Sequence, residues 1–285
     1  MKIVGIITKR DIAEHKKTIQ DIVEYLKKKK KEILLDTNAG PLFSQHGLGR
    51  LEILKKSDLV ITLGGDGTLL KTARYLVKRK TLILGINYGT LGFLTECEPD
   101  KMFESLDGIF KGEYHSDRRS LLRVTIYRKN KKIQTFLALN DAVINQGAFA
   151  RLIEMDLEVD GRKIVRFKAD GLIVATPTGS TAHSLSAGGP IVHPYIESLV
   201  ITPVCPASLS MRPIVIPDKK QLTVTITTRR REETGDIGLT VDGQEMIDLK
   251  FGDQIKLRKS RRVLYLLRLK NRYYRMLRNK LKWGE

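Results

Sequence analysis

Hydrophobic positions in the first third of the chain fall into two alternating patterns. Lys2–Thr8, Ile33–Leu35, Asp58–Leu63 and Thr81–Ile86 are short runs rich in β-branched residues, with the length of buried strands. Between the first two, Asp11–Lys30 places Ile12, Ile19, Ile22, Val23 and Leu26 near one face of a helix. Asp11 is positioned to cap this helix, and Lys27–Lys31 is a solvated basic end that suits the helix dipole. Helical spacing returns over Leu69–Val77 and again over Pro99–Lys111, whereas Thr37–Gly49, with its Asn, Gly and Pro, reads as a mobile loop. Alternating strands and helices of these lengths predict a parallel sheet covered by helices on both faces.

Near Tyr114 the pattern changes. Leu121–Tyr127 and Thr135–Leu139 flank a charged turn at Lys129–Lys132, which is a hairpin signature. Strand-like runs continue at Leu152–Val159, Gly171–Ala175, Ile214–Ile216, Leu222–Thr227, Ile237–Val241 and Gln254–Leu257. After Arg261, Leu, Tyr and Arg recur at roughly helical spacing as far as Trp283. The predicted fold is an α/β N-terminal domain with a parallel sheet, a β-rich C-terminal domain, and a C-terminal helix returning to the N-terminal domain. The boundaries expected are 1–113, 114–262 and 263–285.

Composition narrows the class. A chain of 285 residues, 41% hydrophobic and 29% charged, is long enough to bury sizeable cores. Its net charge of +19 fits either a solvated, ion-paired surface or attraction to polyanions such as nucleotides, nucleic acid or anionic lipid. The two cysteines, Cys97 and Cys205, and the five histidines show no metal-ligand spacing, which argues against a disulfide framework and a zinc site. The strand-like start lacks a signal h-region, and no apolar stretch approaches the length of a membrane span, so a reduced, cytoplasmic protein is expected.

Two stretches carry chemistry. Gly64-Gly65-Asp66-Gly67-Thr68 joins an apolar strand to a helix. Glycines let a ligand approach the backbone, and the helix start offers free N–H groups and partial positive charge, a natural phosphate seat. Asp66 is placed to accept a hydroxyl proton or hold Mg²⁺, although an ordinary βα turn with a capping Asp gives the same pattern. Asp170–Pro190 again starts with Asp-Gly and a buried-type strand, then continues through hydroxyl-bearing and small residues. Such a run supplies many donors with little bulk, suited to a polar ligand lying against backbone.

These stretches, together with Asn87–Leu94 (pattern N-x-G-x-L-G-F-L), Asn140-Asp141 and Asp242-Gly243-Gln244, resemble in order and over nearly the whole chain the ATP-dependent NAD kinases of the diacylglycerol-kinase and phosphofructokinase-like superfamily. The resemblance implies transfer of the γ-phosphoryl of ATP, accompanied by Mg²⁺ or another divalent metal, to the 2′-hydroxyl of the adenosine ribose of NAD. It implies that Asp66 accepts the proton and that Gly67 lines the NAD site. Asn140 and Asp141 match the pair that contacts the adenosine ribose. Arg151, Lys168, Asp170, Thr178, Thr181, Ala182, His183, Ser184, Leu185, Ser186 and Gln244 match further NAD-contacting positions. Lys71 and Arg74, on the helix after the glycine turn, are the expected aids to the ATP phosphates. His183 stands where the family usually has Tyr, and adds a group that titrates near neutrality. Ala207 stands where a His is common, so any role of that His is absent.

The resemblance also implies a homodimer or homotetramer. A lipid or sphingoid-base kinase shares the glycine turn, and a basic terminal helix suits a membrane surface. The long Asp170–Pro190 block and Asp242-Gly243-Gln244 speak against it. A nucleic-acid-binding protein would explain the charge, but the chain lacks a recognition helix or an aromatic RNA-binding signature. NAD and ATP are therefore the expected partners, with neither nucleic acid nor membrane.

Overall fold

Four short parallel strands, β1 (Ile3–Thr8), β2 (Glu32–Leu35), β3 (Leu59–Leu63) and β4 (Leu82–Ile86), lie in the order β2-β1-β3-β4 in the computed structural model of the chain. The structure describes residues 1–10, 13–89, 92–146, 151–228 and 237–282. Asp11, Ile12, Thr90, Leu91 and Trp283, which figure in the sequence reading, lie outside the described residues. Every residue of β3 and β4 is buried, as expected of continuous apolar runs covered on both faces. The intervening helices are α1 (Lys16–Lys28), α2 (Arg50–Lys56), α3 (Asp66–Ala73) and α4 (Met102–Lys111). α1 buries Ile19, Ile22, Val23 and Leu26, the face that the spacing marks.

Two features of this part depart from the sequence pattern. Helix α2 was not visible in it, being only two turns long with three of its seven residues basic. The Thr37–Gly49 stretch contains a 3-10 turn at Gly40–Phe43 and is tethered rather than loose. The Asp36 carboxylate accepts the amides of Thr8 and Ala39 at 3.0 and 2.9 Å, and Ala39 is fully buried.

The rest of the chain runs through β5 (His115–Arg128), β6 (Lys131–Ala138), β7 (Asp141–Asn145), β8 (Ile153–Val159), β9 (Arg162–Ala169), β10 (Gly171–Ala175), the short α5 (His183–Ser186), β11 (Ser198–Val204), β12 (Ile214–Pro217), β13 (Leu222–Ile226), β14 (Ile237–Val241), β15 (Glu245–Leu249), β16 (Gln254–Arg268) and α6 (Tyr273–Leu281). Two units result, one of Met1–Arg118 with Val263–Glu285 and one of Arg119–Arg262. The first is the α/β unit. Its sheet gains Tyr265 and Leu266, which pair in parallel with Leu82 and Ile83, and α6 buries Met276 and Leu277. Residues 263–268 are thus strand, and the terminal helix starts only at Tyr273. The apolar residues of this stretch serve both periods, and pairing with β4 decides between them.

The second unit is antiparallel. One sheet has the order β12-β11-β10-β7-β14-β15, and the other includes the run β16-β13-β8-β9. Their apolar faces share one core, with Leu122, Val124, Met155, Leu172, Val174, Leu239 and Val241 among its members. The hairpin β5–β6 turns at Lys129 and Asn130, both left-handed with φ of 48° and 61°. At its end Arg128 forks onto Asp253, with Nε and Nη2 donating to the two carboxylate oxygens at 2.9 and 2.7 Å. The Asp253 side chain is fully buried. Removing one member of such a pair leaves an uncompensated buried charge. Arg128→Met is therefore expected to cost about 3 kcal/mol in chemical denaturation, and a loss below about 1 kcal/mol would show that water or a neighbour replaces the guanidinium.

Candidate active site

Asp66 is the first residue of α3, directly after a tight turn out of β3. The turn needs its first glycine, because Gly64 has φ of 147°. The Asp66 carboxylate crosses to the segment beyond β4. There it accepts the backbone amides of Phe93, Leu94 and Thr95 at 3.0, 3.3 and 3.3 Å. That segment closes on itself, since the Gly92 amide donates to Thr95 Oγ1 at 2.9 Å. A side chain at position 92 would overlap the Asp66 carboxylate, so Gly92 is required by close approach. Burial pushes the Asp66 carboxyl above the ordinary range, while the three amides and Arg268 pull it back. Gly67, exposed, and Lys71, half-buried, follow on the same helix, with Arg74 at its C-terminal end. Of the Asn87–Leu94 run, Asn87 is buried and its Oδ1 accepts the Gly89 amide at 3.2 Å.

A second aspartate is held in the same way in the other unit. Asp242 and Gly243 are the central residues of the turn between β14 and β15, both left-handed at 51° and 63°, closed by the Gln244 amide donating to the Val241 carbonyl at 3.0 Å. The Asp242 carboxylate accepts the amides of Leu139, Asn140 and Asp141 at 2.9, 2.8 and 3.1 Å. Burial pushes it up to about 6 against the pull of those amides. The Asp141 side chain is fully buried and faces His183 on α5, whose Nδ1–H donates to the carboxylate with both oxygens at 3.2 Å. This contact draws the imidazole above its usual value, against the effect of partial burial.

The Thr176–Ser186 part of the Asp170–Pro190 block borders this centre. The Thr176 amide donates to the Asn140 carbonyl at 2.8 Å, and the Gly179 amide to Thr176 Oγ1 at 3.2 Å. Thr178 receives Nη1 of the buried Arg119 at 3.2 Å, and Thr181 Oγ1 donates to the Thr178 carbonyl at 3.4 Å. Ala182 precedes the single turn His183–Ser186, in which Ser184 is buried against Thr202 at 2.9 Å and Leu185 and Ser186 follow.

Asn140, Asp141, Thr178, Thr181, Ala182, His183, Ser184, Leu185, Ser186 and Gln244 thus belong to one neighbourhood at the end of β10 marked by the Ala175–Asp141 pair. Arg151, Lys168 and Asp170 do not join it. Lys168 and Asp170 flank Ala169, which pairs with Ile153 just beyond Arg151, and Asp170 precedes the opposite end of β10. There the Gln146 side chain donates to Asp170 Oδ1 at 3.0 Å, and Lys168 is exposed beside Glu154. Asp242, Gly92, Arg119 and Arg268 are the contributors that the sequence reading did not assign. Asp242-Gly243 carries a turn signal and Gly92 stands in the Asn87–Leu94 pattern, whereas Arg119 and Arg268 have no local signal.

An α/β unit with an acid at a glycine turn, followed by an antiparallel unit with a hydroxyl-rich loop around a His–Asp pair, is the arrangement of a nucleotide-handling phosphotransferase. The family models ATP-NAD kinase N-terminal domain and ATP-NAD kinase C-terminal domain match residues 4–114 and 139–269. The NAD kinase of Syntrophotalea carbinolica is 39% identical over 290 residues, covering 100% of both chains. That of Geotalea daltonii is 46% identical over 237 residues, covering 83% of this chain and 82% of its own. Among solved structures, yeast NADH kinase complexed with NADH superposes with a TM-score of 0.91 at 26% identity, covering 100% of this chain and 88% of the yeast chain. An NAD kinase from Archaeoglobus fulgidus in complex with ATP gives 0.75 at 28% identity, covering 98% of each chain. The chain belongs to the NAD kinase family.

The His183–Asp141 contact is directly measurable. The folded His183 midpoint is raised, so the stabilisation from this pair is fully present below the unfolded value of about 6.5 and is lost as pH rises through the folded midpoint. NMR titration should place His183 above that reference in the intact protein and lower in Asp141→Asn. A wild-type midpoint at or below the reference would mean that the carboxylate does not hold the imidazolium.

Proposed function

We infer that this chain, an NAD kinase, transfers the γ-phosphoryl of ATP to the 2′-hydroxyl of the adenosine ribose of NAD, with Asp66 as the proton acceptor. In that step the ribose oxygen bonds to the γ-phosphorus, the bond from that phosphorus to the β–γ bridging oxygen breaks, and ADP leaves. The hydroxyl proton passes to an Asp66 oxygen. The observation that carries the role is the carboxylate itself: it starts a helix, is fixed by three amides and has its proton affinity raised by burial. A base held close to the attacking oxygen serves best when its pKa is nearer the working pH than that of a free carboxylate.

Phosphoryl transfer otherwise depends on positioning and charge neutralisation. Mg²⁺ arrives with ATP as part of the substrate and neutralises its phosphates. Among the described residues no group of three or more His, Cys, Asp or Glu forms a resident metal centre. Lys71 is assigned to the ATP side, while Gly67 lines the NAD site. Asn140 and Asp141 are assigned to the adenosine ribose. Thr178, the Thr181–Ser186 run and Gln244 are assigned to the surrounding dinucleotide. Arg151, Lys168 and Asp170 are assigned as its more distant contacts. The protein is taken to work in the cytoplasm as a homodimer or homotetramer. Among the described residues no helix is long and apolar enough to cross a membrane.

Incubation with ATP, Mg²⁺ and NAD, followed by enzymatic detection of NADP, tests the reaction. Asp66→Asn should retain NAD binding and lose turnover by about two to four decades; near-wild-type turnover would sink the base role. Gly92→Ala forces the Asp66 carboxylate aside without changing any titratable group. It should lower kcat by about a hundredfold, and an unchanged kcat would show that this placement of Asp66 is not required.

A further inference from the structure

Arg268 lies at the end of β16, in the same unit as Asp66, and its side chain is 11% exposed. A guanidinium so removed from water must find partners for a fork of five donors. Two carboxylates face it: Glu96 Oε2 accepts from Nη1 at 3.3 Å and Asp117 Oδ2 from Nε at 3.3 Å. Its remaining contacts go to backbone. Nη2 donates to the Phe93 carbonyl at 2.8 Å, and Nη1 to the Leu94 and Thr95 carbonyls at 3.3 and 3.1 Å. These carbonyls belong to the segment whose amides hold Asp66.

Two peptide units, Phe93–Leu94 and Leu94–Thr95, are therefore gripped at both ends. The oxygen of each accepts from Arg268, and the N–H of each donates to Asp66. A peptide unit is planar, so fixing its oxygen fixes the direction of its N–H. Its dipole then lies between a cation at the carbonyl and an anion at the amide, the favourable sense, and hydrogen bonds in such a chain polarise one another. Glu96 adds a brace, since its Oε1 accepts the Leu269 amide at 3.1 Å and its backbone carbonyl accepts Nη1 of Arg272 at 2.9 Å. The segment is thus anchored on the side facing away from Asp66.

We propose that Arg268 is a positioning residue for the phosphoryl-transfer step, acting through the peptide units between Phe93 and Thr95 to aim the Asp66 carboxylate. Arg268 does not touch substrate in this role. The inference rests on the reading of Asp66 as the proton acceptor. Because the cradle serves the acid and not the dinucleotide loops, loss of Arg268 falls on kcat and leaves the KM for NAD nearly unchanged. It also makes the effect conditional on the carboxylate being there.

A double-mutant cycle in the full-length chain tests this. Arg268→Gln is expected to lower kcat by about ten- to a hundredfold, with the KM for NAD within about threefold. In the D66N background the same substitution should change kcat by less than about threefold. An equal fall in both backgrounds, or a fall shared between kcat and KM, would show that Arg268 supports the unit generally, and the proposal would be overturned. So would wild-type kcat in folded Arg268→Gln. If D66N itself keeps near-wild-type turnover, the Asp66 reading fails regardless of Arg268. Should Arg268→Gln not fold, Arg268→Lys replaces it: the charge stays, but one ammonium cannot reproduce the planar fork across three carbonyls. It should show about a tenfold fall in kcat, and full activity would overturn the need for the fork.

Discussion

A carboxylate withdrawn from water needs several donors at once, and a run of consecutive backbone amides supplies them densely without adding a compensating side-chain charge. Asp66 in one unit and Asp242 in the other both use that arrangement. Asp66 takes the amides of three successive residues after β4, and Asp242 those of three successive residues around the start of β7. Each carboxylate in turn fixes the segment whose amides it accepts. The backbone and the acid define one another, so neither segment shifts without exposing or stranding a charge. That mutual constraint holds Asn140 and Asp141 in place in one unit and the proposed base in the other.

The two cradles differ in what stands behind them. Behind the Phe93–Thr95 segment is a cation, Arg268, which opposes the effect of burial on Asp66. Beside Asp242 is another acid, Asp141, which adds to the effect of burial, and Asp242 is pushed up to about 6. His183 offsets this by donating to Asp141 from a side chain 56% exposed. A Tyr hydroxyl at that position, the usual residue in the family the sequence resembles, would donate without bringing positive charge. The histidine therefore places a titratable cation next to two buried acids, and couples this corner of the loop to pH in a way that a phenol would not near neutrality.

Sequence pattern recovered several elements with a uniform or strictly periodic environment. Gly171–Ala175 and Ile237–Val241 were legible to the residue, the first being buried at every position and the second strictly alternating. Strands β9 and β15 were missed because charged residues interrupt their apolar alternation, and the apolar-centred β7 and β11 were missed as well. The site divided along the same line. Asp66 announces itself through the glycines that its turn needs, and Asn140-Asp141 and the hydroxyl-rich loop through composition. The grip of Asp242 on residues 139–141 and of Arg268 on residues 93–95 spans about a hundred residues or more of chain. No local period encodes a contact of that kind. The nearest hint was an arginine closing the apolar run Val263–Leu267, a place where a cation needs buried partners.

The same burial pattern gives the net charge of +19 a physical meaning. Among the described residues, Asp36, Glu96, Asp117, Asp141, Asp218, Asp242 and Asp253 are buried, whereas Arg119 is the single buried basic residue. More acids than basic residues are thus turned inward, so the surface facing solvent is more positive than the count states. A field of that sign raises the local concentration of anions and speeds their encounter, whatever anion it meets. NAD and ATP are both anionic, so the charge is compatible with small substrates and does not require nucleic acid or lipid. Selectivity among anions must come from the fixed donors of the loops, because a diffuse field reads charge and not shape.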